Sequence, residues 1–505
     1  MSTVKIGWAH RDISTDKPVL IFGQAHYRVS KGVHDPITAT VLVVEDGDCA
    51  IMVSADLMLF TAYMHDSILK KVAAMNPEIP TDHIFMGSTH THDGGPGYPD
   101  SAIFKTIDGL ETMPVEIDYA SCDEYVDFMS TQVAEGICEA WAGRKESQIA
   151  YGYGYAVVGH SRRVRYMDDL SKRGNVDATD TFAVNGHAAM YGNTNDDMFE
   201  GYEAGADHFI NIMYTFDMDG KLTGAVVNVP CPSQNSESEW CLSASFWDEA
   251  RTMLKAKYGD ITILPQSACA GDLAPRILHY KKAQERRFNL KYGDGETISE
   301  DYARRDIAER IVEAFDEVLS WAKKDMHTSM PVVHKLTEVE LESYPITEEE
   351  FINGSRNLQL ARSKPFVKTD DPMKDFVANS RLLSDRNRFL GLMYSYMEQM
   401  VKKTKTMQYH VVKIGPLGFA TINTELYMDY QHRIQARSPF EQVFMVQLCA
   451  QPARFCDYTG TFGYLATERA VEAKGYSAIP FSCSLSPKGG QQYVESVLKD
   501  MKEIY

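Results

Sequence analysis

Between residues 38 and 97 the chain spells out a hairpin, a helix and a strand that runs directly into two histidines one residue apart. An apolar run over 38–44 passes through Glu45-Asp46-Gly47-Asp48, a hairpin signal, into a second apolar run over 50–56. Apolar residues then recur at helical spacing over 59–75. Ile84-Phe85-Met86 follows as a buried strand leading to Gly87-Ser88-Thr89-His90-Thr91-His92-Asp93-Gly94-Gly95-Pro96-Gly97. Strand, helix, strand is a βαβ-like unit, and sites belong at the carboxyl ends of such strands. Alternate side chains of extended backbone share a face, so His90 and His92 can look into one cavity, and neutral imidazole is the commonest metal ligand. Asp93 is placed to orient one of the rings, and the glycines and proline behind it favour a rigid turn close to a bound group. A bare His-x-His also occurs in surface turns, so the decision rests on the rest of the chain.

At 505 residues the chain is long enough to bury a large core, and its formal charge of -19 argues against nucleic acid or an anionic membrane surface as partner. The first residues carry no basic segment followed by an apolar core, and no window approaches the apolar length of a membrane span. Nine cysteines without a pairing rhythm fit a reducing cytosol better than a disulfide framework, so a cytoplasmic protein is expected.

Further along, helical spacing covers 122–143 and 299–324, and strands are expected over 149–158, 209–217, 222–229, 261–264 and 332–341. The stretch 342–385 is polar and proline-bearing, and is expected to be an irregular insertion or lid; a helix follows over 386–403. The loop Gly159-His160-Ser161-Arg162-Arg163-Val164-Arg165 concentrates cations suited to a carboxylate, a phosphate or a developing oxyanion, and suits a solvated basic turn equally well. Arg276 adds another possible anion contact. A hairpin over 410–426 ends its apolar strand in Glu425, a carboxylate that needs a partner if buried.

Taken together these motifs resemble the neutral (non-lysosomal) ceramidases, zinc-dependent amidases. Thr89-His90-Thr91-His92 followed by Gly and Pro is similar to that family's signature, and Gly32-Val33-His34 and Ser54-Ala55-Asp56 stand where its Gly-x-His and Ser-x-Asp fall. The resemblance implies zinc held by His90 and His92, by Glu425 after Ile414-Gly415-Pro416-Leu417, and by Tyr464 in the segment that starts near Asp457-Tyr458. It also implies an active-site arginine at Arg162. Two positions depart from the family. Cys231 stands for a ligand histidine, so either its thiolate binds zinc or another group such as His208 does. Ala274, in Gly271-Asp272-Leu273-Ala274-Pro275, stands for a catalytic serine, so no mechanism that needs that hydroxyl is available. Ceramidases continue into a C-terminal immunoglobulin-like domain for which this sequence has no room.

The expected protein is therefore an α/β chain with mixed sheets flanked by helices, one ceramidase-like domain over 1–505. One Zn2+ per chain is expected on His90, His92, Cys231, Glu425 and Tyr464, with His92, Arg162 and Asp272 catalytic and His34, Arg163 and Arg276 at the substrate. The expected reaction is metal-activated hydrolysis of an amide or related bond in a small polar substrate rather than ceramide. A metal-dependent hydrolase or lyase acting on a carbohydrate, and an inactive ligand-binding homologue, are the alternatives.

Overall fold

The structure is a computed structural model and describes residues 3–173, 185–293, 300–455 and 459–505. Its first sheet contains β1 (Lys5–Asp12), β2 (Thr38–Asp46), β3 (Asp48–Ala55) and, after helix α1 (Ala62–Met75), β4 (Ile84–Ser88). The hairpin predicted around Gly47 pairs β2 with β3 antiparallel, and β4 adds parallel to β3. The start of α1 is set by Thr61, whose hydroxyl accepts from the Met64 amide at 3.2 Å. Its buried face, Met64, His65, Ile68 and Val72, packs with α2 (Cys122–Ala142) over the outer side of the sheet.

A second sheet is built from β5 (Gln148–Tyr155), β6 (Phe209–Phe216), β7 (Leu222–Val229) and β8 (Thr262–Ser267), with α3 (Phe246–Tyr258) and α4 (Glu300–Ala322) outside it. β9 (Val332–Glu342), β10 (Thr404–Ile414), β11 (Leu417–Thr421) and β12 (Gln442–Val446) form the third. The segment between β9 and β10 holds α5 (Glu348–Ser363) and α6 (Pro372–Gln399), and α7 (Pro487–Ile504) covers the third sheet. The expectation of an irregular stretch over 342–385 is therefore wrong. Thr347 and Glu350 form a capping box and Asp371 caps a proline-led helix, so the polar, proline-bearing composition marks helix starts.

The inner faces of the three sheets meet in one cluster, where Leu42, Met52 and Phe85 pack with Ile149, Met213, Val226 and Leu264 and with Val412, Phe419 and Phe444. Each sheet also contains one parallel pair: β3 with β4, β7 with β8, β11 with β12. The loops leaving the carboxyl ends of these pairs bond to one another. Ala450 N donates to Met86 O at 2.9 Å, Gln447 N to Ser267 O at 3.1 Å and Ser233 N to Thr89 O at 3.1 Å. Six strands from three sheets thus deliver their loops to one place, where α/β proteins put their chemistry. No described helix is long and apolar enough to cross a membrane.

Candidate active site

His90 follows β4 and is nearly buried in a left-handed backbone conformation, φ 59°. A non-glycine residue held there carries strain of order 1 kcal/mol, which clusters at functional positions. Its Nδ1 donates to Met58 O at 2.7 Å, so the lone pair of the neutral ring lies on Nε2. Nε2 faces Glu425 Oε2 at 3.5 Å, leaving two acceptors opposed in a buried space. Glu425 itself starts a two-residue parallel bridge to Tyr464, with Glu425 paired to Tyr464 and Leu426 to Leu465. Gly271 passes so near that any Cβ on it would strike the Glu425 carbonyl, which is why a glycine precedes Asp272.

Arg162, 2% exposed, reaches this group from between two short strands after β5, His160–Ser161 and Arg163–Tyr166. Its Nη2 donates to Glu425 Oε2 at 3.2 Å, to the Tyr464 hydroxyl at 3.3 Å and to Gly271 O at 3.0 Å, while Nη1 meets the Tyr191 hydroxyl at 3.3 Å. Burial opposes ionisation of Glu425, but the surrounding His90, Arg162 and His92 hold its carboxyl down at about 2. Burial pushes the Tyr464 phenol well above its ordinary value.

His92 faces other partners. Its Nδ1 lies 2.6 Å from Glu237 Oε1, and its Nε2 is in close contact with the Gln234 side-chain nitrogen. Glu237 also takes Arg276 Nη2 at 2.8 Å, and the Tyr191 hydroxyl donates to Gln234 Oε1 at 3.4 Å. Burial raises the Glu237 carboxyl, yet His92, Arg276 and Arg28 outweigh it and hold it at about 2. The loop bearing Glu237 is tied beside the histidines because Thr91 donates to Ser243 O at 2.8 Å and Ser243 N to Asp93 O at 3.1 Å. Gly23, φ 119°, lies against the His92 ring on the other side, where a Cβ would overlap it.

The expected residues separate accordingly. His90, Glu425, Tyr464 and Arg162 form one cluster, and His92 adjoins it with a ring-centroid distance of 5.0 Å to His90. Asp93 orients neither ring: it pairs with Arg28 at 2.9 Å, and Arg28 also donates to Glu237 O at 2.7 Å and to His92 O. Cys231 is buried, its thiol directed at Pro232 O at 3.4 Å and kept protonated by burial. The ring of His208 lies near His160. Asp272 accepts from Met428 N at 3.1 Å and its carbonyl from Arg162 N at 3.0 Å, so it anchors the loops of Arg162 and Glu425, and burial raises it to about 6.

Two expected substrate contacts are displaced. The Arg163 guanidinium is fully buried and bonded to Glu203 and to the carbonyls of Ala470, Lys474 and Tyr476, so no face of it is left for substrate. His34 sits with Glu239 at 2.7 Å and Asp301 at 3.8 Å. With those two carboxylates it is the one set of three His, Cys, Asp or Glu side chains, among the described residues, whose ligand atoms all lie within 4.8 Å. Cys231 completes no such set with His90 and Glu425. Asp457 and Tyr458 lie outside the described residues.

The donor set still suits a metal at His90. A carbonyl fixes the ring from behind, as for metal-bound imidazoles, and Nε2 opposite a carboxylate at 3.5 Å leaves a position where a cation would be held between them. His90, Glu425 and Tyr464 fit that role; His92 and Cys231 are engaged elsewhere.

A mixed α/β chain of this form, with its cluster at the junction of three sheets, has the fold of the ceramidases. The crystal structure of neutral ceramidase from Pseudomonas aeruginosa matches all of this chain over 75% of its own, with a TM-score of 0.67 and 15% identity. A ceramidase complexed with C2 matches to the same extent, with a TM-score of 0.65 and 14% identity. No family model matches the chain and no curated protein does.

Proposed function

We propose that this chain is a metal-dependent hydrolase, with zinc the expected ion, that cleaves an amide or related bond in a small polar substrate. The observation that carries the reading is the buried opposition of His90 Nε2 and Glu425 Oε2 at 3.5 Å, beside Tyr464 and Arg162, where the loops of three sheets converge. His90, Glu425 and Tyr464 would hold the ion. When bound it would supply positive charge to polarise a carbonyl and make water more acidic. Arg162 places a fixed guanidinium next to the position of a developing oxyanion, where preorganised donors have their largest effect. His92 is the proton carrier, and Asp272 keeps the loops of Arg162 and Glu425 in register.

Gln234, Glu237, Arg276 and Tyr191 give the mouth of the site a polar, hydrogen-bonding wall, which supports a small polar substrate over a long acyl chain. The scattered cysteines support a cytoplasmic setting. One observation favours a second reading, a binding protein without turnover: Glu425 already has a cationic partner within the chain, Arg162 at 3.2 Å. Elemental analysis of the purified chain beside His90→Ala decides. About one zinc per chain, lost in the variant, supports the hydrolase, and a screen of polar amides and glycosides against long-chain ceramide then assigns the bond. Folded protein that takes up no zinc puts the binding-protein reading first, and comparable activity on ceramide overturns the polar-substrate assignment.

A further inference from the structure

The partners of His92 agree on one protonation state. A carboxylate can only accept, so at 2.6 Å from Glu237 Oε1 the Nδ1 atom must carry the proton. The Tyr191 hydroxyl donates to Gln234 Oε1, which turns the amide nitrogen of Gln234 toward His92, and that nitrogen donates to Nε2. With Nδ1 protonated, the neutral ring holds its lone pair on Nε2. Glu237 is itself fixed by Arg276 at 2.8 Å and through its carbonyl by Arg28 at 2.7 Å, and it is only 17% exposed.

We propose that Glu237 is the positioning residue that holds His92 in the Nδ1–H tautomer, and that Gln234 guards the Nε2 lone pair until substrate and water displace it. This rests on the hydrolase reading for its catalytic consequence, but not for its structural content. In an amide hydrolysis, Nε2 takes a proton from the attacking water as its oxygen bonds to the carbonyl carbon. The C–N bond then breaks with its electron pair going to nitrogen, and the imidazolium returns the proton to the leaving amine. Throughout, Glu237 accepts from Nδ1–H and stabilises the imidazolium without becoming protonated, the logic of a carboxylate behind a catalytic histidine.

The test is the nitrogen NMR signature of His92 in histidine-labelled protein, assigned with His92→Gln. Wild type should show the Nδ1–H tautomer. Glu237→Gln, whose amide can donate to Nδ1, should shift the population toward Nε2–H, and Glu237→Asp should keep the wild-type form. An unchanged tautomer in folded Glu237→Gln overturns the proposal. If Glu237→Gln fails to fold, the wild type decides alone: a His92 ring found mainly as the Nε2–H tautomer overturns the proposal too. Because this readout needs no turnover, its failure is separable from failure of the hydrolase reading. Where a substrate is found, Glu237→Gln should lower kcat by about 10²–10⁴-fold with KM changed little, and a loss confined to KM would equally overturn the role.

Discussion

The two histidines of the site stand one residue apart and live in different electrostatic settings. His90 turns Nε2 toward Glu425 with Arg162 and Tyr464 around it, whereas His92 is held on both nitrogens by Glu237 and Gln234. The left-handed backbone at His90 breaks the strand alternation between them, so the two rings meet edge to face at 82° instead of stacking side by side. The contrast teaches that a His-x-His pair need not present its two rings to the same partners: one faces a buried carboxylate and arginine, the other a carboxylate and an amide.

The largest effect that can break this contrast comes from removing one ring at a time. His90→Ala should abolish zinc uptake and lower any hydrolysis by at least about 10³-fold, since a bound ion supplies several kcal/mol of transition-state stabilisation. His92→Ala should lower activity while leaving zinc uptake near one per chain. Metal content and rate measured on both variants check this, and loss of zinc from both would mean that His92 is also a ligand. Next in size is Arg162→Met, which leaves Glu425 buried beside His90 without its guanidinium. Breaking a buried ion pair costs about 3–5 kcal/mol, so urea unfolding should show a loss of that order, recovered in part when zinc is added.

Much of the His90 half was legible because its residues sit at the ends of strong apolar strands. His90, Glu425 and Tyr464 all follow patterned segments, and the hairpin before β3 and the helix α1 were read from the same periodicity. The His92 half was not. Gln234 and Glu237 lie in a loop with no period, next to His92 only through bonds from Thr91 and Ser243 and from Arg28, more than 60 residues away. Sequence distance hides such contacts, although the carboxylates of Glu237 and Glu239 within two residues of each other were a signal worth following. The cation-rich loop misled in its second arginine, because Arg162 and Arg163 alternate to opposite faces and only the first meets the site. Cys231 misled because a thiol can replace imidazole in zinc chemistry but equally packs as a small apolar group.

Smaller effects sharpen the comparison from outside. His160 and His334 are histidines without a carboxylate at hydrogen-bond distance of the kind His92 has, and burial lowers each to about 4. Both are neutral in the fold, while the unfolded chain binds a proton near 6.5, so stability is lost as pH falls from 6.5 toward 4. His160→Gln should flatten that slope, retaining about 2 kcal/mol at pH 4 relative to the wild type when both are referenced to pH 7. Urea unfolding at the two pH values checks it, and an unchanged slope would mean that His160 titrates normally.

The smallest expected effect is at Ala274, the position where the family resemblance implies a serine. The residue is fully buried and its backbone pairs with His160. Restoring the hydroxyl by Ala274→Ser adds a buried polar group whose desolvation costs about 1 kcal/mol unless it finds a partner. It supplies nothing that a base acting on water requires. The variant should therefore change the rate by less than about twofold while lowering the unfolding midpoint slightly. Steady-state kinetics on the best substrate is the check. A tenfold gain would show that the fold still presents this position to the reacting carbonyl, and that His92 can serve a hydroxyl nucleophile as readily as water.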